Sequence, residues 1–268
     1  GAAGILESII SMCAVDDNTI LATRGLKNKG VSGDITLSNA NNQTDRESFV
    51  KLLSGFGGCN GALWISRNKD HQNKKIASNN YTLTNHVVIT PTSVTINGEP
   101  VVCEQTGKAL LTELYKKYVS DYPKFYKMDV MTRLGFIASE LLLQTEGSER
   151  FVPCEDRAVV LFNRTSSLIA DKLHQESIND KHNFFPSPSV FVYTLPNIIT
   201  GEIAIRNKYY GETSFYILER NDKKLIDEVL NASFLDSHTQ SIIAGWVDCE
   251  SEDVFSAEMY IVDNKTMK

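Results

Sequence analysis

Apolar residues recur along most of this chain with the spacing of alternating helices and strands. Residues 2–15 are apolar on nearly every side and predict a buried helix, and residues 19–23 predict a short strand. A long polar loop follows. Residues 48–66 then predict two strands, joined by a turn dense in glycine: Gly55-Phe56-Gly57-Gly58-Cys59-Asn60-Gly61.

The composition changes most clearly over residues 67–84, which are charged, rich in asparagine and almost free of apolar periodicity. Such a stretch is typical of a solvated linker. We therefore predict a first segment over residues 1–67, a linker over 68–85 and a second segment over 86–265.

The second segment alternates between strand and helix patterns. The strong amphipathic pattern of residues 128–143 predicts a helix with Asp129 as its N-cap. The continuous apolar run of residues 158–163 predicts a strand that is buried on both faces. The remaining elements are a strand hairpin with its turn at Asn97-Gly98, helices over 110–119, 166–175, 198–207 and 222–233, and strands over 214–218, 240–247 and 254–262. This order predicts an α/β fold with a mixed or parallel sheet.

Composition and charge exclude several classes of function. The chain has 268 residues, is 42% hydrophobic and carries a formal net charge of −6. This balance is typical of a globular protein, and it provides no basic surface for nucleic acid. No run approaches the roughly 20 apolar residues that a membrane helix needs. We expect neither a nucleic-acid nor a membrane partner.

The cysteines favour a reducing compartment. The chain has five of them, an odd number, and they are scattered along the sequence without a Cys-x-x-Cys pair. A disulfide framework and a zinc site are therefore not expected. The sequence shows no secretion leader. We predict a cytoplasmic protein without a metal or cofactor.

The glycine turn and its flanks resemble the closing part of a β-ketoacyl-acyl-carrier-protein synthase. In that family a helix of small residues follows the second catalytic histidine, as in the AAGILESII stretch here. A Gly-Phe-Gly-Gly-x-Asn turn then lies against the active site. The residues of this chain that match that turn are Gly55, Phe56, Gly57, Gly58 and Asn60.

The second segment resembles the opening half of the same family. HVVITPTSVTIN is similar to its first strand, KMDVMTRLGFIASELLL to its first long helix, and SFYIL to the strand that delivers the nucleophile. In this chain, the segment that resembles the closing part of the family sequence thus precedes the segment that resembles its opening half. The resemblance implies a thiolase-like layered sandwich, α-β-α-β-α, with one half incomplete. An incomplete half exposes apolar surface unless another chain covers it, so we expect an oligomer.

The catalytic residues of the family are missing from the matching positions. The family's nucleophilic cysteine lies on the turn after the SFYIL strand, and here that turn has Arg220, which is a permanent cation. No cysteine lies between Cys154 and Cys249. None of the five histidines, which are His71, His86, His174, His182 and His238, matches a catalytic histidine of the family.

The resemblance therefore implies a non-catalytic partner in fatty-acid or polyketide-type acyl-chain biosynthesis, similar to a chain-length factor. Such a protein acts with a catalytic synthase, or pairs with itself, and meets an acyl carrier protein. In the family, dimers form through the nucleophile-side strand and the loop after the proline-rich stretch. The corresponding residues here, which we expect at an interface, are Phe191, Val192, Tyr193, Pro196 and Asn197.

Two other interpretations remain open. The chain lacks an initial Met and begins inside a helix pattern, so it is also interpreted as a fragment of a tandem active synthase whose catalytic residues lie upstream of residue 1. Alternatively, it is an enzyme of unrelated chemistry on a shared fold, because a fold alone does not fix function.

Overall fold

The chain divides into two units, Gly1–Lys75 and Ile76–Lys268, here called unit 1 and unit 2. The computed structural model describes residues 3–54, 60–67, 81–182, 185–235 and 238–265. The predicted linker at 68–85 lies outside the described residues up to position 80.

The described part of unit 1 consists of one helix and two small antiparallel sheets. Strand β1 pairs with β2, and β3 pairs with β4 so that Phe49 lies opposite Ile65. The predicted helix and the predicted two-strand hairpin are both present. The elements are α1 (Ala3–Asp16), β1 (Thr19–Ile20), β2 (Asn42–Gln43), β3 (Ser48–Ser54) and β4 (Asn60–Ser66).

The helix α1 is largely exposed, which contradicts the prediction of a buried helix. Ala14 is its buried residue among those described. Helix α1 packs against β3 on one side, and there a Cβ atom on Gly4 would lie 2.8 Å from the methyl groups of Leu53. One hairpin is too narrow to cover an all-round apolar helix. The apolar side chains left between 47% and 66% exposed are Ile5, Leu6, Ile9, Ile10 and Met12.

Unit 2 is a seven-stranded mixed sheet with helices on both faces. Its strands are β5 (Tyr81–Ile89), β6 (Val94–Ile96), β7 (Glu99–Pro100), β8 (Arg157–Asn163), β9 (Thr213–Ile217), β10 (Ser241–Ser251) and β11 (Val254–Asn264). Its helices are α2 (Gly107–Tyr118), α3 (Val130–Leu142), α4 (Leu168–Ile178), α5 (Pro188–Val192), α6 (Ile198–Asn207) and α7 (Lys223–Ser233).

The strand order is β7-β6-β5-β11-β10-β8-β9. Strand β8 runs parallel to both β9 and β10, and the other pairs are antiparallel. The hairpin predicted at Asn97-Gly98 joins β6 to β7, and both residues have the positive φ, 53° and 85°, that a two-residue turn of this type requires. The sheet is therefore mixed, as its sequence pattern indicates.

Strand β5 begins earlier than predicted. We assigned residues 81–85 to the linker, but Tyr81 already pairs with Asn264 of β11 and Leu83 with Val262. Strand β11 is 11 residues long, and its backbone N–H and C=O groups need partners along its whole length. Pairing with β11 therefore extends β5 beyond the stretch whose own apolar pattern is strong.

The core of unit 2 is deepest around α3. Twelve of the 13 residues of this helix are buried, including Glu140, which is 3% exposed. A carboxylate at that depth needs cationic partners, and Arg150 and Arg206 approach it to 2.6 Å and 3.4 Å. The two arginines thus allow a charged residue on a helix that is otherwise surrounded by apolar side chains.

Asp129 caps this helix as predicted, because its side chain accepts a hydrogen bond from the backbone N–H of Thr132 at 3.1 Å. Replacing an N-cap carboxylate with alanine costs about 0.5–2 kcal/mol. We expect Asp129→Ala to lower the free energy of unfolding by about this amount in urea titrations. Glu149→Ala, which removes an exposed carboxylate from the same unit, should change it by less than about 0.5 kcal/mol. Equal effects of the two substitutions would contradict the capping role.

Candidate functional site

The candidate site lies where β9 passes into α7. Strands β8, β9 and β10 are parallel, so their carboxyl ends meet at one edge of the sheet, which is where α/β proteins commonly place ligands. The connection is short, from Leu218 to Asp222. Leu218 still belongs to the sheet, since its N–H donates to the carbonyl of Asn163 at 2.8 Å.

Asp222 fills the amino end of α7. Its carboxylate accepts hydrogen bonds from the backbone N–H groups of Lys224 and Leu225, at 3.1 Å and 3.3 Å. Free N–H groups and the helix dipole at such an end would stabilise an anion. Here a carboxylate of the chain itself already occupies that position.

Arg220 projects from the turn into solvent. Its side chain is 81% exposed, and its guanidinium lies 3.9 Å from the carboxylate of Asp222. An exposed pair of this kind contributes little to stability. The position that the resemblance assigned to a nucleophile is thus occupied by a solvated cation.

The loop after β8 is held by residues that the sequence analysis did not single out. Asn163 is fully buried and bonds to both backbone groups of Ser166, which has a positive φ of 53°. Asp248 accepts hydrogen bonds from the N–H of Arg164 at 3.1 Å and from the N–H and hydroxyl of Thr165 at 2.9 Å and 2.6 Å. These contacts fix the backbone next to the turn before α7.

Asp248 lies within β10, and its side chain is only 14% exposed. Only the fold brings it against residues 164–165, so no local pattern could have revealed this role. Among the described residues, no group of three His, Cys, Asp or Glu side chains is arranged to hold a metal ion.

Three of the described cysteines, Cys103, Cys154 and Cys249, lie in settings that disfavour a thiolate. Burial raises the pKa of Cys249 to about 12, and the carboxylates of Asp129 and Asp248 add to the effect. Burial also raises the pKa of Cys103 and of Cys154, and Cys154 in addition donates a hydrogen bond to Asp156 at 2.9 Å. A nucleophilic cysteine needs the opposite shift. Cys59 lies outside the described residues.

The described histidines lie on separate elements. His86 on β5 is 3.2 Å from the carboxylate of Glu258, while His174 on α4 has its ring centroid 5.4 Å from that of Phe191. His182 lies in an exposed turn, and His238 lines a different cavity from the one that His86 lines. His71 lies outside the described residues. None of these positions places an imidazole on the turn between β9 and α7.

Most of the glycine turn, Gly55, Phe56, Gly57 and Gly58, lies outside the described residues. Asn60 begins β4 and pairs through its backbone with Ser54, which closes the described part of the hairpin. The role of this turn stays a prediction.

Four of the five residues predicted for an interface offer surface to a partner. Phe191 and Val192 lie on α5 and are 54% and 44% exposed, Asn197 is exposed and Pro196 is half-buried. Tyr193 is different. It is 8% exposed within unit 2 and can add almost no contact area, because the same turn of chain directs it into the core.

Among the described residues, β9 is an open edge of the sheet, and α6 packs against it. Its sequence, TSFYI, has neither a charge nor a proline, which are the usual protections of an exposed edge. The opposite edge, β7, has only two residues, Glu99 and Pro100. We call β9 together with the exposed side chains of α5, α6 and their connection the partner-facing surface; its large apolar members are Phe191, Val192, Leu195, Ile205, Tyr216 and Ile217.

Comparison with solved structures assigns the fold. The ishigamide ketosynthase/chain length factor matches with a TM-score of 0.54 and 14% sequence identity, over 71% of this chain and 63% of that chain. The protein has the fold of a ketosynthase or chain length factor. The predicted thiolase-like α/β fold is thus confirmed.

A second match is a ketosynthase in complex with its chain length factor from Xenorhabdus doucetiae, with a TM-score of 0.47 and 11% identity, over 69% of this chain and 79% of that chain. The fold assignment rests on the ishigamide match, of whose chain this protein spans less than two thirds. No protein-family model matches the sequence, and no curated protein matches it. No described helix is long and apolar enough to cross a membrane.

Thiol alkylation tests the setting of the cysteines. We expect the exposed Cys13 to react with iodoacetamide at pH 8, while Cys249 stays unlabelled until the chain is unfolded, because its thiol is buried and its pKa is raised. Peptide mass spectrometry over a time course at pH 6, 7 and 8 gives the rate for each cysteine. Fast labelling of any cysteine at pH 6 would reveal an activated thiolate and contradict this account.

Proposed function

We propose that this protein is a non-catalytic synthase-like subunit that acts with a catalytic β-ketoacyl synthase in acyl-chain biosynthesis. The observation that carries the proposal is the turn before α7, where Asp222 caps the helix and Arg220 is exposed to solvent. Condensation requires a thiolate that holds the acyl chain as a thioester. This turn provides no thiol, and Asp222 already uses the N–H groups of Lys224 and Leu225 that could stabilise a thiolate.

The electrostatics of the turn support the same proposal. In a condensing site, the amino end of the helix lowers the pKa of the cysteine beside it. A thiolate at position 220 would meet the carboxylate of Asp222, which already uses the N–H groups of Lys224 and Leu225. The like charge would raise the pKa of such a thiol instead of lowering it.

The partner-facing surface supports a role in an assembly. The carbonyl of Glu212 accepts a hydrogen bond from β8, and the N–H of Leu218 donates one to β8, so the backbone groups of these two residues point toward that strand. Backbone groups alternate in direction along a strand, so Thr213, Phe215 and Ile217 direct theirs to the open side. A partner strand could therefore extend the sheet there, with Phe191 and Val192 adding apolar contact area.

In this role the protein would shape the acyl-chain tunnel of its partner, as a chain-length factor does, and would meet an acyl carrier protein. The ishigamide match, a ketosynthase/chain length factor, supports this kind of partner. The free state of the described cysteines Cys13, Cys103, Cys154 and Cys249 supports a reducing compartment, for which we propose the cytoplasm.

A second candidate is a fragment of a tandem active synthase. Unit 1 favours it, because α1 exposes apolar side chains that a complete synthase half would bury. The mass of the protein isolated from its source organism distinguishes the two candidates. A protein that carries an active synthase upstream of this chain would be much larger than 29.9 kDa, so a mass close to that value would contradict the tandem candidate.

The partner-facing surface can be tested by mixing with an active synthase from the same organism. We expect a complex in size-exclusion chromatography and a shift in the chain length of the products. Ile217→Pro removes an N–H from the open side of β9 and should raise the dissociation constant at least about tenfold, or about 1.4 kcal/mol.

Ile217→Val keeps this N–H and serves as the matched control. It should bind nearly as well as the unaltered chain. If no complex forms, or if Ile217→Pro binds as tightly as Ile217→Val, the surface is not the interface.

A further inference from the structure

Two arginines share one cavity of unit 2 with a buried carboxylate. The cavity has a volume of about 240 Å³ and lies between the carboxyl ends of α2, α3 and α6 and the short helical segment Gln144–Phe151. The side chain of Glu140 is 3% exposed, and those of Arg150 and Arg206 are 9% and 11% exposed. Two cations thus face one buried anion, and one positive charge is left to be balanced. We call this cavity the Arg206 pocket, and its lining includes Val119, Asp121, Glu140, Arg150, Phe151 and Arg206.

An exposed residue balances the remaining charge. Nη2 of Arg206 donates a hydrogen bond to the carboxylate of Asp121 at 2.6 Å, and the side chain of Asp121 is 62% exposed. Asp121 lies in the short turn between α2 and the segment Pro123–Lys127. An exposed carboxylate gains little from such a pair, because water competes with the cation for it. Asp121 can therefore leave the pocket with little loss of stability, whereas the buried Glu140 cannot.

Arg206 has a donor group that the described residues do not use. Its Nε donates to Glu140 at 3.4 Å and its Nη2 to Asp121, but no acceptor among the described residues bonds to Nη1. Two aromatic rings fix the orientation of the guanidinium, whose Cζ lies 4.8 Å from the ring centroid of Phe151 and 5.3 Å from that of Tyr122. Nη1 and Nη2 of a guanidinium form a pair of donors that matches the two oxygens of one carboxylate.

The charge and the walls of the Arg206 pocket define the ligand that it would take. Without Asp121, the two cations and one anion of the pocket sum to a single positive charge, which is complementary to a monoanion. The pocket is also lined by Val119, Leu143 and Phe151, which offer apolar contacts to an alkyl group. A volume of 240 Å³ is that of about eight water molecules, which is enough for a carboxylate with a short alkyl chain.

We propose that the Arg206 pocket binds a small monocarboxylate with a short alkyl chain. The carboxylate replaces Asp121, accepts hydrogen bonds from Nη1 and Nη2 of Arg206, and places its alkyl chain against Val119 and Leu143. Asp121 thus acts as an internal substitute for the ligand. No residue of β9 or of the turn before α7 lines the pocket, so this inference does not depend on the proposed function.

Butanoate and its neutral isostere butanamide test the proposal directly. Gly147 borders the pocket, so its backbone amide and the side-chain N–H of Arg206 are followed in ¹H–¹⁵N spectra at constant ionic strength. We expect butanoate to shift both signals with a dissociation constant on the order of 1 mM, as is usual for a ligand of this size. Butanamide has the same shape without the charge, and it should bind at least about tenfold more weakly.

Asp121→Asn separates a binding site from a structural ion pair. The variant removes the internal carboxylate that competes with the ligand, so it should tighten butanoate binding about fivefold, which corresponds to an exposed ion pair of about 1 kcal/mol. A merely structural pair predicts no such gain. Glu228→Gln is the matched control, because it removes a carboxylate that is 58% exposed and lies 4.0 Å from Lys224, outside the pocket. It should leave the dissociation constant unchanged.

Arg206→Lys keeps a positive charge beside Glu140 but removes the paired donors, so it should weaken butanoate binding at least about fivefold. The ¹H–¹⁵N spectrum of each variant shows whether the chain is folded. Three outcomes would overturn the proposal: no shift of the two signals up to about 20 mM butanoate, equal binding of butanoate and butanamide, or an unchanged affinity in Asp121→Asn. Tighter binding of inorganic phosphate than of butanoate would also overturn it, since the pocket would then prefer a tetrahedral oxyanion.

Discussion

The account depends on one interaction, the capping of α7 by Asp222. A helix end with free N–H groups can stabilise an anion, and condensing chemistry would use that property to form a thiolate. Here the carboxylate accepts hydrogen bonds from Lys224 and Leu225, and Arg220 points into solvent. The loop beside this turn is fixed as well, because Asp248 holds Thr165. The site is thus built as a stable turn, which is why we propose a partner role for the protein.

Unit 2 leaves two apolar surfaces exposed. Strand β9 is an apolar sheet edge without a protecting charge or proline, and on the sheet face that α7 covers the side chains of Tyr81, Trp246 and Tyr260 are half-buried. The other face of the sheet, on which the buried helix α3 packs, holds the larger hydrophobic core of unit 2. The edge and the face that α7 covers differ in what they can bind, because the edge offers backbone hydrogen bonds and that face offers side chains. An assembly could use both.

Much of the fold could be predicted because its signals are local. The cap at Asp129, the turn at Asn97-Gly98 and the apolar run of β8 each depend on a few neighbouring residues. The features that sequence analysis missed depend on distant partners. The pairing with β11 extends β5 to Tyr81, and the loop after β8 gives Asp248 its role. The exposure of α1 depends on what covers it, which its own pattern cannot show.

The central claim is that this chain does not carry an acyl group as a thioester. The most direct test incubates the protein with an excess of an acyl-loaded carrier protein and measures its intact mass, with an active synthase as the positive control. The account predicts that the mass of the 29.9 kDa chain is unchanged. A gain equal to one acyl group, located on a cysteine and released by hydroxylamine, would contradict it.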